Sequence, residues 1–227
     1  MLRSSFPKAD IGEVVQHFET SDGGSADKAA VARKRGYSYS EIHEHGSTKL
    51  IVMSEELRMQ SFQPNEFDRT VIIGNTASGK SWLSKRLGKK LSSNVVDLDQ
   101  IRWVNGDYSL KESMPVAIAK TSEKAQQEQW IIEGVYGWLV SPIIDRVTCL
   151  IWTDIPWSES RKNLFARETE RGSTGNFEEL EAWSGDYWNR KSASSYGAHL
   201  AIYEGFKGSK YRLTNMRETS SFIDRME

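Results

Sequence analysis

The chain holds one cysteine and five prolines in 227 residues. Cys149 therefore has no internal disulfide partner, and within the apolar run Val147 to Trp152 it reads as a small packing residue. No stretch approaches the roughly 18 apolar residues of a membrane-spanning helix, and the first residues carry no apolar signal core. A reducing cytoplasm with no membrane partner is the expected setting. A charge surplus is missing too: 30 Lys and Arg against 31 Asp and Glu give a net charge of −1, so the chain as a whole has no pull on nucleic acid. Internal repeats and low-complexity tracts are absent. What is left, 38% hydrophobic and 27% charged residues, is ordinary for a globular protein able to bury a core.

Against this plain background one segment stands out. Gly74-Asn75-Thr76-Ala77-Ser78-Gly79-Lys80-Ser81 fits G-x-x-x-x-G-K-[ST] and follows the short apolar run Arg69 to Ile73, which reads as a strand. A Gly-rich turn leaving a buried strand points successive backbone N–H groups into one concavity, and the following helix adds its positive end. The pattern predicts a nucleoside triphosphate cradled by residues 74 to 82, including Trp82. Lys80 reaches the β- and γ-phosphates, and the Ser81 hydroxyl ligates Mg²⁺. Gly74 is expected to make the tight turn, and Gly79 to let the backbone approach the phosphates.

Residues 1–66 differ from the rest and read as an N-terminal extension. Periodicity predicts a helix over Asp10 to Glu19, with Ile11, Val14, Val15 and Phe18 on one face, and a second over Asp27 to Arg35. Leu50 to Met53 and Leu57 to Phe62 suit a hairpin across Ser54-Glu55-Glu56. Arg33-Lys34-Arg35 with Tyr37 and Tyr39 is the single basic and aromatic cluster; it supports either a solvated helix end or, with a short helix after it, a nucleic-acid contact. Glu41 and Glu44 favour the former, and His43 and His45 read as surface residues.

From residue 67 to 227 strands alternate with helices. The strands are Val71 to Ile73, Asn94 to Leu98, Trp130 to Glu133, Val147 to Trp152 and Tyr211 to Thr214. Helices are expected over Ser81 to Leu91, Val116 to Gln129, Ser158 to Arg171 and Glu178 to Glu204. Near-continuous apolar strands between helices predict an α/β three-layer fold with a parallel five-stranded sheet, and ligands at the carboxyl ends of its strands. A lid is expected at about 168–180, with Ser173 to Asn176 at its tip. The aromatics Trp183, Tyr187, Trp188, Tyr196 and Tyr203 suit either a packing face on the sheet or a stacking platform.

Two strand ends carry acids. Asp97-Leu98-Asp99-Gln100-Ile101-Arg102 offers Asp99 to accept a proton from an acceptor hydroxyl, or to hold Mg²⁺ through water, and Arg102 to clamp a phosphate. Asp97, on the same side of the strand, is suited to capping the next helix or bonding the phosphate loop. Glu133-Gly134 ends the neighbouring apolar strand, where an acid can orient Mg²⁺ or its water.

Together, GNTASGKS, Leu98-Asp99 with Trp103, Trp130 to Tyr136, and Ile155-Pro156-Trp157 resemble the small P-loop kinases related to adenylate kinase. The resemblance is greatest to the bacterial DNA topology modulation proteins, and covers about residues 69–175. It implies a P-loop NTPase fold, ATP and Mg²⁺ as cofactors, and phosphoryl transfer to a small nucleotide-like or other hydroxyl or phosphate acceptor. It also implies a lid arginine at Arg167. The other usual lid arginine falls on Asn163, a departure that Arg161 or Arg171 could offset. A second departure is the absence of an arginine in Val135-Tyr136-Gly137-Trp138, which argues against plain adenylate kinase activity. Asp99 and Arg102 also resemble the polynucleotide 5′-kinases, and Glu133-Gly134 the zeta-toxin kinases that act on nucleotide sugars. A rival reading is a nucleotide-dependent switch that binds DNA or a protein partner.

Overall fold

The computed structural model describes residues 62, 65–106, 109–171 and 177–226, together with the backbone of three earlier strands. The chain divides into two compact units, residues 1–62 and 63–227.

In the first unit, β1 (Gln16–Phe18), β2 (Ser38–Glu44) and β3 (Ser47–Met53) form an antiparallel sheet in the order β1-β3-β2. Two expectations fail here. Gln16 to Phe18 is strand and not the end of a helix, because Phe18 pairs with Leu50 and Gln16 with Val52 in the ladder. Pairing with a distant strand outweighs a helical spacing of four apolar residues. Ser38 to Glu44 is also strand, so no helix follows the basic cluster; Glu44 pairs with Ser47 across two residues, the spacing of a tight hairpin. The hairpin partner of β3 is thus β2. The expected strand over Leu57 to Phe62 falls almost wholly outside the described residues, as do the helix over Asp27 to Arg35 and the cluster Arg33 to Tyr37.

The second unit is built on β4 (Arg69–Gly74), which runs into α1 (Lys80–Leu91). Next come β5 (Val95–Asp97), α2 (Leu98–Arg102), α3 (Met114–Lys124), β6 (Trp130–Gly134) and α4 (Gly137–Val140). After β7 (Cys149–Thr153) the chain enters α5 (Trp157–Arg171), α6 (Phe177–Gly185), α7 (Tyr196–Gly205), β8 (Ser209–Leu213) and α8 (Met216–Asp224). The five strands form one parallel sheet in the order β5-β6-β4-β7-β8. The Gly-rich loop leaves the central strand.

Alternation along the strands sends side chains to two faces. Val71, Ile73, Trp130, Ile132, Leu150 and Trp152 join one core cluster with Ala117, Leu139, Val140 and Phe206 from the helical side. Ile72, Ile131 and Ile151 are fully buried as well, and lie outside that cluster. Helix α1 packs on β4, β5 and β6, with Leu83 and Leu87 buried, and Gly88 comes close to Ile131 and Val95. Helices cover both faces, so the unit is a three-layer α/β structure on a parallel five-stranded sheet. No helix among the described residues is long and apolar enough to cross a membrane.

The segment expected as one helix over Glu178 to Glu204 is broken. Helix α6 ends at Gly185, a 3-10 turn spans Asp186–Trp188, and α7 starts afresh with the Ser195 hydroxyl accepting from the Ala198 N–H. Gly137 explains part of this: a Cβ there would lie 2.4 Å from the Ala193 carbonyl, so the connecting loop packs its backbone directly on α4.

Candidate active site

Lys80, Asp97, Asp99 and Glu133 lie at the carboxyl end of a strand or at the start of the helix after it, whereas Arg102 ends α2 and Arg167 lies within α5. The loop after β4 winds through left-handed residues, Ala77 at φ 57° and Gly79 at φ 90°, and alternation of that kind turns backbone N–H groups inward. Helix α1 opens at Gly79 with no side-chain cap and no acid in its first turn, leaving those N–H donors for a ligand. Both glycines have positive φ, Gly74 at 153° and Gly79 at 90°, and Gly74 also lets the loop lie against Thr153 of β7, where a Cβ would clash.

The loop is held from several sides. Ser78 Oγ donates to the Asn75 carbonyl at 2.8 Å and meets Thr153 Oγ1 at 2.7 Å. Asn75 is buried; its amide donates to the Ser184 carbonyl of α6 at 2.8 Å, while its Oδ1 has no hydrogen-bond partner among the described residues. Asn163 donates to the Ala77 carbonyl at 3.2 Å. The position where the resemblance expects an arginine therefore touches the loop itself. Thr76 is half-buried, and Trp82 is exposed on α1 with the Arg86 guanidinium 4.3 Å from its ring.

Lys80 is buried and donates to the Asn75 carbonyl at 2.7 Å. Burial lowers its pKa, opposed by the charges of Glu133, Asp99 and Asp97, in that order, while Arg167 adds to the lowering. The charges that act on that ammonium come from acids on β5, α2 and β6 and from a cation on α5, and Asp97 and Glu133 are register partners across β5 and β6. Glu133 is buried too, which pushes its carboxyl up; Lys80 and a hydrogen bond from Ser81 pull the other way. Asp97 is raised by burial and by Asp99, and its Oδ1 accepts from the Asp99 N–H at 2.8 Å. Asp97 thus caps α2, leaving the Asp99 side chain for other work.

Asp99 Oδ1 accepts from the Tyr136 hydroxyl at 2.7 Å, and that hydroxyl accepts from Trp103 Nε1 at 2.9 Å. Arg102 donates to the Glu112 carbonyl, and its guanidinium lies 5.7 Å from the Trp103 ring and 5.5 Å from the Trp138 ring. Arg167 is exposed on α5. Arg161 is engaged elsewhere, donating to Glu181 of α6 at 2.6 Å, and the Arg171 side chain and residues 172–176 lie outside the described residues.

Sequence reasoning gave no role to Tyr136 and Trp103, which enter it only as motif letters, and gave Asn75 only a place among the residues that cradle the triphosphate. His199 gave no signal: buried, its Nε2 donates to the Val135 carbonyl at 3.0 Å while Nδ1 accepts from Tyr187 at 2.6 Å. Most of the aromatic segment forms a packing face. Tyr196 and Tyr203 pack on Trp152 at 5.2 and 5.7 Å and Tyr187 is buried, whereas Trp183 stays exposed beneath Arg190.

No family model matches the chain, and no curated protein sequence matches it. Among solved structures it is similar to a gluconokinase from Sinorhizobium meliloti, with a TM-score of 0.47 and 8% identity over 70% of this chain and 90% of that one. It is also similar to a shikimate kinase from Bacteroides thetaiotaomicron, at 0.47 and 14% over 70% and 95%. A deoxyadenosine kinase from M. mycoides follows at 0.41 and 12% over 68% and 94%. Likeness at these scores carries no argument about what this chain does.

Proposed function

We propose that the chain is a P-loop kinase that moves the γ-phosphoryl of ATP to the hydroxyl or phosphate of a small, nucleotide-like acceptor. The observation that supports it is the meeting of Lys80, Ser81, Glu133 and Asp99 at the ends of three adjacent strands, beside a loop whose N–H groups lack side-chain acceptors. A site for binding a nucleotide alone would need the loop and one acid. A second acid, with an arginine one helical turn away, suits a second substrate.

The donor set is also suited to the cofactors. Ser81 and Glu133 offer hard oxygens to Mg²⁺, and no group of three His, Cys, Asp or Glu is placed to hold a metal among the described residues. That fits Mg²⁺, which binds through one or two protein ligands and fills its shell with phosphate and water. When bound, the ion supplies charge neutralisation to the phosphates.

The chain's own residues do the rest. Loop amides and Lys80 hold the triphosphate, and Lys80 leaves the Asn75 carbonyl for the phosphate oxygens as a desolvated point charge. Asp99 orients the acceptor hydroxyl and takes its proton. Arg102 keeps donors for an anionic group on the acceptor, and Arg167 approaches the transferred phosphoryl from α5. Positioning and charge carry most of such a reaction. The test is γ-labelled ATP offered with nucleosides, nucleotides, nucleotide sugars, small hydroxy acids and 5′-hydroxyl oligonucleotides. Label on one acceptor is the expected result; tight ATP binding with no transfer to any would overturn the proposal.

A further inference from the structure

We infer that Tyr136 is a positioning residue: its hydroxyl, held by the Trp103 indole, fixes the Asp99 carboxylate so that one oxygen faces the acceptor. The inference rests on the kinase reading of Asp99.

The argument is one of hydrogen-bond direction. An indole N–H can only donate, so at 2.9 Å the Tyr136 oxygen must accept from Trp103. The phenol has a single proton, and with the indole on its lone pair that proton is aimed at Asp99 Oδ1, 2.7 Å away. The chain Trp103 to Tyr136 to Asp99 therefore runs one way, and its last member must be an acceptor. Oδ1 is thus committed as an acceptor, while Oδ2 takes no hydrogen bond among the described residues.

The supports are rigid. Tyr136 and Trp138 pack against the main core cluster and their rings meet edge to face at 6.2 Å. Trp103 hydrogen-bonds through its own N–H to Asp99 O at 2.9 Å, which closes the turn of α2 onto the same acid. The charged groups around the carboxylate come from three elements, Asp97 at the end of β5, Glu133 on β6 and Lys80 on α1. Two acids beside one ammonium would let an untethered Asp99 swing towards Lys80. The phenol holds it in place instead.

Tyr136→Phe removes only the hydroxyl. In the transfer assay kcat is expected to fall about tenfold, the equivalent of one hydrogen bond of about 1.4 kcal/mol, with KM for ATP unchanged. An unchanged kcat, or an effect confined to KM, would overturn the inference.

A second readout needs no activity. The Trp103 indole N–H signal, assigned by its loss in Trp103→Phe, is followed by NMR. Asp99→Asn should move it in the wild-type background and leave it in place in the Tyr136→Phe background. Equal shifts in both backgrounds, or none in either, refute the relay. If the wild type transfers phosphate to nothing, the kinase reading fails alone and the indole signal still decides whether Tyr136 holds Asp99.

Discussion

Lys80 shows how one residue depends on its setting. Its ammonium is buried, which disfavours the charge and keeps its pKa below the usual lysine value, and three acids oppose this only in part. Truncation would remove both the proposed phosphate contact and a counter-charge of buried Glu133. Lys80→Ala should therefore lower kcat by about a hundredfold or more, equivalent to about 3 kcal/mol of barrier, as measured in the labelled-phosphate assay. His199 makes the opposite case, a buried base kept neutral. Burial depresses its pKa to about 3, only partly offset by the Val135 carbonyl. The unfolded chain takes up that proton near pH 6.5, so the folded form is favoured fully above that value and progressively less below it. Urea unfolding should show stability falling by about 1.4 kcal/mol per unit from pH 6 down towards pH 4 on account of this residue. His199→Gln should lessen that slope, while losing some stability at neutral pH.

At the scale of elements, helix α8 lies beyond the helices expected from the sequence, although a local cap starts it: Asn215 Oδ1 accepts from the Glu218 N–H at 2.8 Å, and the Glu218 carboxylate reaches back to the Thr214 N–H at 2.6 Å. Asn215→Ala should cost about 1 kcal/mol, seen as a lower Tm with no change in the far-ultraviolet spectrum of the folded protein. Strands β4, β6 and β7 were legible because buried apolar runs between helices have few alternatives. The break after Gly185 was not, because the aromatic residues continue through it while the loop at Ala193 packs on Gly137, far away in sequence. Likewise Gln16 to Phe18 carries a helical spacing, and a distant partner strand overrides it. In the candidate site the strand-end acids could be read from position. The phenol that holds Asp99 could not, because Tyr136 is 37 residues away in sequence and nothing local says where its hydroxyl points.

Over the whole second unit, burial falls off from the centre of the sheet. Strands β4, β6 and β7 are almost entirely buried, whereas β5 and β8 at the edges keep exposed positions. Lys80 and Glu133 of the candidate site follow or end buried strands, while Asp97 and Asp99 come from the edge strand β5 and the helix after it. Cys149 lies among the buried strands, on β7 opposite Thr70 of β4, fully buried, with burial pushing its thiol far up the pH scale. Alkylation of the native protein at pH 8 should accordingly be slow and should accelerate in urea in step with loss of the sheet, as followed by mass spectrometry. Having a single thiol, the chain carries a built-in gauge of its own global unfolding: one labelling site, no competing signal, and a rate that reads the free energy of opening the strands on which the phosphate loop is mounted.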